Sequence, residues 1–219
     1  MISLNLVNKE KSQIGYEIIR FPDGQQTIKI KEFDEIESPL RPKSWKQNFI
    51  TIRSRLNNFK DLELIVCAVY ALRNLDPDMK ISLITPYFIG SRSDRKFTKG
   101  GVNYLKQVIC PIINSLNFRK VTVLDPHSDV LEACLNNFNK LDNILPTISL
   151  NEMGKNGDIV LISPDSGAYK RIFDVARDND IENIITASKV RDIKTGNIIE
   201  TKVPDLEKYK DHKFVIVDD

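Results

Sequence analysis

The sequence predicts an α/β fold in which parallel sheets are wrapped by helices, and three observations carry that prediction. Short β-branched runs alternate with segments of helical apolar spacing along most of the chain, the pattern of parallel strands joined by covering helices. Val121–Leu124 and Ile159–Ile162 are compact runs of the kind found in strands buried on both faces. Residues 58–74 carry Leu62, Ile65, Val66, Val69 and Leu72 at helical spacing, with Leu64, Ala68 and Ala71 on the other side. A helix apolar nearly all round is buried between layers.

In chain order, Ile18–Lys31 reads as two short strands broken by the turn sequence Phe21-Pro22-Asp23-Gly24. A Ser-, Pro- and Lys-rich loop, Ser38–Lys46, follows and holds the single tryptophan. Phe49–Ile52 is the next strand, Asn58–Asn74 its helix, and Lys80–Thr85 another strand. After a polar stretch, Gly90–Gly101, the residues Val102, Leu105, Val108, Ile109, Ile112, Ile113 and Leu116 mark a second amphipathic helix. Pro111 inside it lacks an N–H and is expected to kink or split it. Val121–Leu124 and Ile159–Ile162 are strands, Ala168–Asp178 a helix, and Ile184–Ile185, Ile198–Ile199 and Phe214–Val217 further strands. The polar segment Asp142–Gly157, with Pro146, Gly154 and Gly157, is the expected domain boundary.

Composition narrows the function classes. A net charge of only +2, with both signs mixed along the chain, does not suggest nucleic acid as the main partner. No apolar run approaches the ~20 residues of a membrane span, and the first residues have no secretory pattern. Cys67, Cys110 and Cys134 are odd in number, far apart in sequence and set in apolar segments. That fits reduced core thiols in a cytoplasmic protein better than a disulfide frame or a zinc site.

Ligands of open α/β sheets bind beyond the carboxyl ends of the strands, so the residues after each strand are the ones to read. Asp125-Pro126-His127-Ser128 follow one strand and Ser163-Pro164-Asp165-Ser166-Gly167 another, the latter small enough for backbone to approach an anion at a helix N-terminus. Arg92-Ser93-Asp94-Arg95-Lys96 gather positive donors, Lys189 and Arg191 alternate along a short strand, and Asp218 and Asp219 end the last one. Each feature has a plain structural reading. An Asp after a strand commonly caps a helix, a charge run is commonly a solvated loop, and His127 could be a hydrogen-bonded structural residue.

Their order changes the weight. Together, these segments resemble the ribose-phosphate pyrophosphokinase (PRPP synthetase) family over residues 16–219. Phe21-Pro22-Asp23-Gly24-Gln25 resembles its Phe-x-Asp-Gly-Glu segment, Lys60-Asp61-Leu62-Glu63-Leu64 the start of its long helix, and Pro86–Lys96 its nucleotide loop. Asp125-Pro126-His127 resembles its Asp-Leu-His metal motif, Ser163–Gly167 its Ser-Pro-Asp-x-Gly motif, and Lys189-Val190-Arg191 its Lys-x-Arg. Val217-Asp218-Asp219 resembles the start of its ribose-phosphate loop. Gln25, Ser93 and Pro126 depart from the pattern, as do Val130–Ala133 and Phe97–Gly101, so the resemblance is to a divergent member.

The resemblance implies two phosphoribosyltransferase-like parallel-sheet domains, 1–145 on the ATP side and an incomplete 146–219. It implies Mg²⁺-dependent pyrophosphoryl transfer from ATP to ribose 5-phosphate in nucleotide biosynthesis, with Lys189 and Arg191 catalytic. Asp23, Gly24, Gln25, Arg92 and Ser93 would contact ATP, His127 and Asp165 would hold Mg²⁺, and Asp218 and Asp219 would begin the ribose 5-phosphate site. It further implies a cytoplasmic homo-oligomer. Because the 219 residues stop before the Gly-rich phosphate turn, the chain alone is expected to make no PRPP. Two other readings stay open: a non-catalytic regulatory subunit, and a pyrophosphokinase acting on another ribosyl acceptor such as ADP-ribose.

Overall fold

The computed structural model describes residues 2–31, 49–127, 129–141, 150, 158–165, 167–192, 195 and 197–217. Contacts divide the chain into two compact units, Met1–Asp142 and Asn143–Asp219. The loop around Trp45 and nearly all of the expected boundary segment lie outside the described residues.

In the first unit, β1 (Ile2–Asn5) is followed by a hairpin of β2 (Tyr16–Arg20) and β3 (Gln26–Ile30). Then come β4 (Phe49–Arg53), α1 (Phe59–Leu75), β5 (Lys80–Thr85), β6 (Lys120–Leu124), a short α3 (Val130–Cys134) and β7 (Phe138–Leu141). Between β5 and β6 lies a helix in two parts, a π-helical segment, Leu105–Ile109, and α2 (Cys110–Ser115). Five strands form one parallel sheet in the order β1-β4-β5-β6-β7. Its register sets Leu4 beside Ile52, Ile52 beside Leu83, and Leu83 beside Val121. All four are essentially inaccessible to solvent, a continuous aliphatic row across the sheet. Because strand side chains alternate, the other face carries Thr51, Ser82 and Thr122, which are buried too.

Helix α1 begins at Asn58, whose side chain accepts hydrogen bonds from the Lys60 and Asp61 N–H groups and so satisfies two otherwise orphaned donors. The helix is buried on two sides, as its pattern predicts. Leu62, Ile65, Ala68, Val69 and Leu72 belong to the same core as the sheet. The hairpin packs on it as well, with Tyr16, Ile28 and Ile30 in that core. Glu63 accepts from the Gln26 N–H at 3.3 Å, and the Cys67 thiol lies 3.7 Å from the Gln26 carbonyl.

One expectation is corrected and another is borne out. Val102 lies outside the second helix, which starts two residues later, and its side chain is 57% exposed. Pro111 splits that helix by changing its winding: the π-helical turn runs into Cys110, and Pro111 falls in the first turn of α2. A proline ring clashes with the carbonyl four residues back and cannot donate to it; a local π-turn is one way to absorb this. Strands β1 and β7 and helix α3 are additions to the sequence reading. Ile2–Asn5 and Phe138–Leu141 are four-residue sheet edges of mixed polarity, too short for a periodic signal.

In the second unit, β8 (Ile159–Ser163), α4 (Tyr169–Asp178), β9 (Ile184–Thr186) and β12 (Lys213–Ile216) build a three-stranded parallel sheet in the order β12-β8-β9. β10 (Ser188–Arg191) and β11 (Ile198–Lys202) pair as a separate antiparallel ribbon. Central β8 is buried at every position. Ile159 and Leu161 pack with Ile172 and Ala176 of α4, while Val160 and Ile162 pack with Ile185, Val203 and Tyr209. Among the described residues, no helix is long and apolar enough to cross a membrane.

The aliphatic row sets an expected outcome. Leu83→Ala should cost about 2–5 kcal/mol of stability in urea unfolding. Tyr70→Ala, at a side chain 57% exposed on α1, should stay within about 0.5 kcal/mol of the parent.

Candidate functional site

The second unit brings two of the sequence-predicted residues into direct contact. Asp165 follows β8, Lys189 lies in β10, and the lysine Nζ donates to Asp165 Oδ2 at 2.7 Å. The other carboxylate oxygen, Oδ1, accepts from the Gly167 N–H at 3.0 Å and the Ala168 N–H at 3.2 Å. The Ser163 hydroxyl donates to the Asp165 carbonyl at 2.7 Å. This polar turn leads the buried strand into α4. Both functional side chains remain reachable, Lys189 27% and Asp165 41% exposed. The Lys189 ammonium, above all, holds the Asp165 carboxyl below the ordinary carboxylate range; the Ala168 and Gly167 N–H groups add to this and partial burial opposes it.

Pairing of β10 with β11 slips between Val190 and Arg191, and such irregularities re-aim side chains. The side chain of Arg191 lies outside what the structure describes, as do Ser166, Asp218 and Asp219.

In the first unit the candidates sit on three loops. Asp23, Gly24 and Gln25 form the exposed tip of the β2–β3 hairpin. There the Gly24 N–H donates to the Phe21 carbonyl, Asp23 accepts from the Gln25 N–H, and Gly24 takes a φ of +92°. Turn geometry alone accounts for an Asp-Gly pair at this place.

Arg92 and Ser93 lie in the loop after β5, and that loop is pinned. Phe88 is buried in the core, and the Ser91 hydroxyl donates to the Phe88 carbonyl at 2.7 Å. The Ser93 carbonyl accepts from the Leu105 N–H, and the Asn103 amide donates to the Asp94 carbonyl. Gly90 has a φ of +83°, and a Cβ there would stand 2.9 Å from the Tyr104 ring. Arg92 is therefore exposed on a fixed loop, where the charge pattern alone suggested a solvated one. His127, exposed, follows β6 beside it in the sheet. Before it, Asp125 adopts a left-handed φ of 42°, uncommon for a residue with a Cβ and a recurring feature of functional sites. Sequence pattern singled out neither that strain nor the Phe88 and Gly90 anchors.

Among the described residues, no three His, Cys, Asp or Glu side chains cluster to hold a metal ion. Asp165 is still chemically suited to Mg²⁺, which takes oxygen ligands and is commonly held by one or two carboxylates together with waters and substrate phosphates. The carboxylate fits such a role as a single protein ligand; the imidazole of His127 fits it less well.

Comparison with known proteins places this geometry in context. No protein-family model matches the chain. It is 26% identical over 202 residues to a ribose-phosphate pyrophosphokinase of Sulfolobus acidocaldarius, covering 91% of this chain and 64% of that one. The figures for the ribose-phosphate pyrophosphokinase of Sulfurisphaera tokodaii are 25% over 203 residues, with the same coverage. Ribose-phosphate pyrophosphokinase 2 of Archaeoglobus fulgidus is 25% identical over 160 residues, 72% of this chain. Among solved structures, phosphoribosylpyrophosphate synthetase from Mycobacterium smegmatis superposes with a TM-score of 0.67 at 14% identity, over 88% of this chain and 59% of that one; it shares the fold. The chain is a distant homologue of the ribose-phosphate pyrophosphokinases along most of its length, and spans just under two thirds of the length of the first two relatives.

Two outcomes follow from the site geometry. The Asp165 carboxyl should titrate below the ordinary range in carbon-detected NMR, and Lys189→Gln should bring it back up. Because its folded pKa is depressed, the stability it contributes is complete above the ordinary carboxylate pKa and is lost as the pH falls through the lowered value. In the first unit, Gly90→Ala should destabilise by about 1 kcal/mol or more, through the positive φ and the Tyr104 contact, as thermal unfolding would register.

Proposed function

We propose that the chain takes part in Mg²⁺-dependent pyrophosphoryl transfer from ATP to ribose 5-phosphate. In that reaction the 1-hydroxyl of the sugar attacks the β-phosphorus, the bond to the α-phosphate oxygen breaks, and PRPP and AMP result. The observation that carries the reading is the Lys189–Asp165 pair at 2.7 Å, where β8 turns into α4. Distant homology to ribose-phosphate pyrophosphokinases supports it. In this reading the second unit is the phosphoribosyltransferase-like domain, and the first is the ATP side.

Phosphoryl chemistry asks the protein for positioning and charge compensation more than for covalent help. Asp165 orients the Lys189 ammonium and keeps it at the strand ends, ready to face a polyphosphate. Arg191 is assigned a second cationic contact to the transferring group. Arg92 and Ser93, on their pinned loop, and Asp23, Gly24 and Gln25, at the hairpin tip, are assigned to ATP; His127 and Asp165 are assigned to the metal–nucleotide. Mg²⁺ bound with the nucleotide would neutralise phosphate charge. Asp218 and Asp219 are assigned to the sugar hydroxyls, and a homo-oligomer is the expected assembly.

Titration calorimetry tests the nucleotide half of this reading. Mg·ATP should bind, and Arg92→Ala or Asp165→Ala should weaken it by roughly 10-fold or more, as loss of a charge-assisted contact worth about 1.5–3 kcal/mol requires. Equal affinity in the parent and both variants would remove the site assignment.

A further inference from the structure

Asp165 and Lys189 meet in the second unit, yet neither is itself anchored in the core. Asp165 lies in a turn and is 41% exposed; Lys189 lies on a ribbon that shares no strand with the β12-β8-β9 sheet. One residue ties both segments to that sheet. Ser163, the last residue of β8, is inaccessible to solvent. Its hydroxyl donates to the Asp165 carbonyl at 2.7 Å, and its own carbonyl accepts from the N–H of buried Ala187 at 2.8 Å, two residues before Lys189. The same device occurs independently in the first unit. There β5, the middle strand of its sheet, ends in Thr85, also inaccessible, whose hydroxyl donates to the Tyr87 carbonyl at 2.6 Å. A proline follows in both cases, Pro86 and Pro164. Proline has no N–H and keeps the residue before it extended, so the first step off the strand lacks a backbone donor. The buried hydroxyl supplies one.

We propose that Ser163 is the positioning residue of the Lys189–Asp165 pair, its buried hydroxyl fixing the place where the two side chains meet. The proposal rests on the reading of that pair as the part of the site that faces the nucleotide. Three kinds of contact hold Asp165. The Gly167 and Ala168 N–H groups belong to its own turn and move with it, and Lys189 comes from the ribbon. Only the Ser163 hydroxyl leads back into the buried strand. The Ser163 carbonyl, through Ala187, sets where β10 begins. One buried residue thus places both ends of a 2.7 Å ion pair. Ser163 acts through Asp165 and Lys189 and needs no contact with the nucleotide. Without its hydroxyl the turn keeps its residues but loses its fixed position, and alignment of the ammonium is what a reaction dependent on positioning requires.

The test reads the position of Lys189 directly. In the isotope-labelled chain the Lys189 ammonium, assigned by its absence in Lys189→Gln, should give a resolved NMR signal, because a hydrogen-bonded ammonium exchanges its protons slowly. Ser163→Ala and Ser163→Cys should both lose that signal while the methyl signals of Val160, Leu161 and Ile172 stay in place. The cysteine keeps the volume of the serine but donates poorly, which separates the hydroxyl from packing. In calorimetry, the Mg·ATP affinity of both variants should fall to that of Asp165→Ala. Thr85→Val, in the first unit, should leave the Lys189 signal unchanged. A signal absent from the parent, retained in either Ser163 variant, or lost in Thr85→Val as well would each overturn the proposal. If Ser163→Ala does not fold, the cysteine variant decides alone. Loss of the ammonium signal with unchanged Mg·ATP affinity would uphold the positioning role and overturn only the assignment of the pair to the nucleotide.

Discussion

The parallel register that lines up Leu4, Ile52, Leu83 and Val121 is the constraint on which the first unit depends. A shift of one residue in any of these strands would turn its aliphatic side chains to the face of Thr51, Ser82 and Thr122 and bring hydroxyls into the row. With the register fixed, α1 has a continuous apolar surface to cover, and the hairpin has a helix to pack on. The carboxyl ends of β5 and β6 are then neighbours by construction. Arg92 and His127 therefore share one edge of the sheet because of packing several residues away from either.

The two units handle their polar candidates differently. In the second, Asp165 and Lys189 satisfy one another, and backbone donors take up the remaining carboxylate oxygen. A partly exposed pair of this kind contributes little net stability. Its main effect is orientation, since a lysine with many rotamers is held at one place near a helix start. In the first, order comes from the backbone and from buried anchors. Phe88, Ser91 and Gly90 fix the loop bearing Arg92, and the left-handed Asp125 sets the path into His127. The proposed chemistry thus rests on loops held from beneath, which suits a reaction that depends on positioning.

Turn chemistry and ligand chemistry overlap at both Asp-containing motifs. Asp23 is explained by its hairpin and Asp165 by the turn into α4, yet both fall where the family resemblance expects contacts to the nucleotide or metal. The two roles are compatible. A carboxylate that accepts N–H groups on one oxygen keeps lone pairs on the other, and the turn that it builds brings backbone close to any bound anion.

Amino-acid pattern alone determined the central strands, the long buried helix, the hairpin and the loops on which the candidate residues sit. Alternation, helical spacing and turn residues are local signals, readable from neighbours in the chain. Tertiary structure decided what depends on pairing between distant residues. Short edge strands β1 and β7 exist because β4 and β6 offer them partners. Asn114 of α2 donates to the Cys134 carbonyl at the end of α3, and the ribbon of β10 and β11 carries Lys189 to Asp165. A residue's distant partner leaves no mark on its neighbours in sequence; it is set by register and packing, which only the folded chain contains.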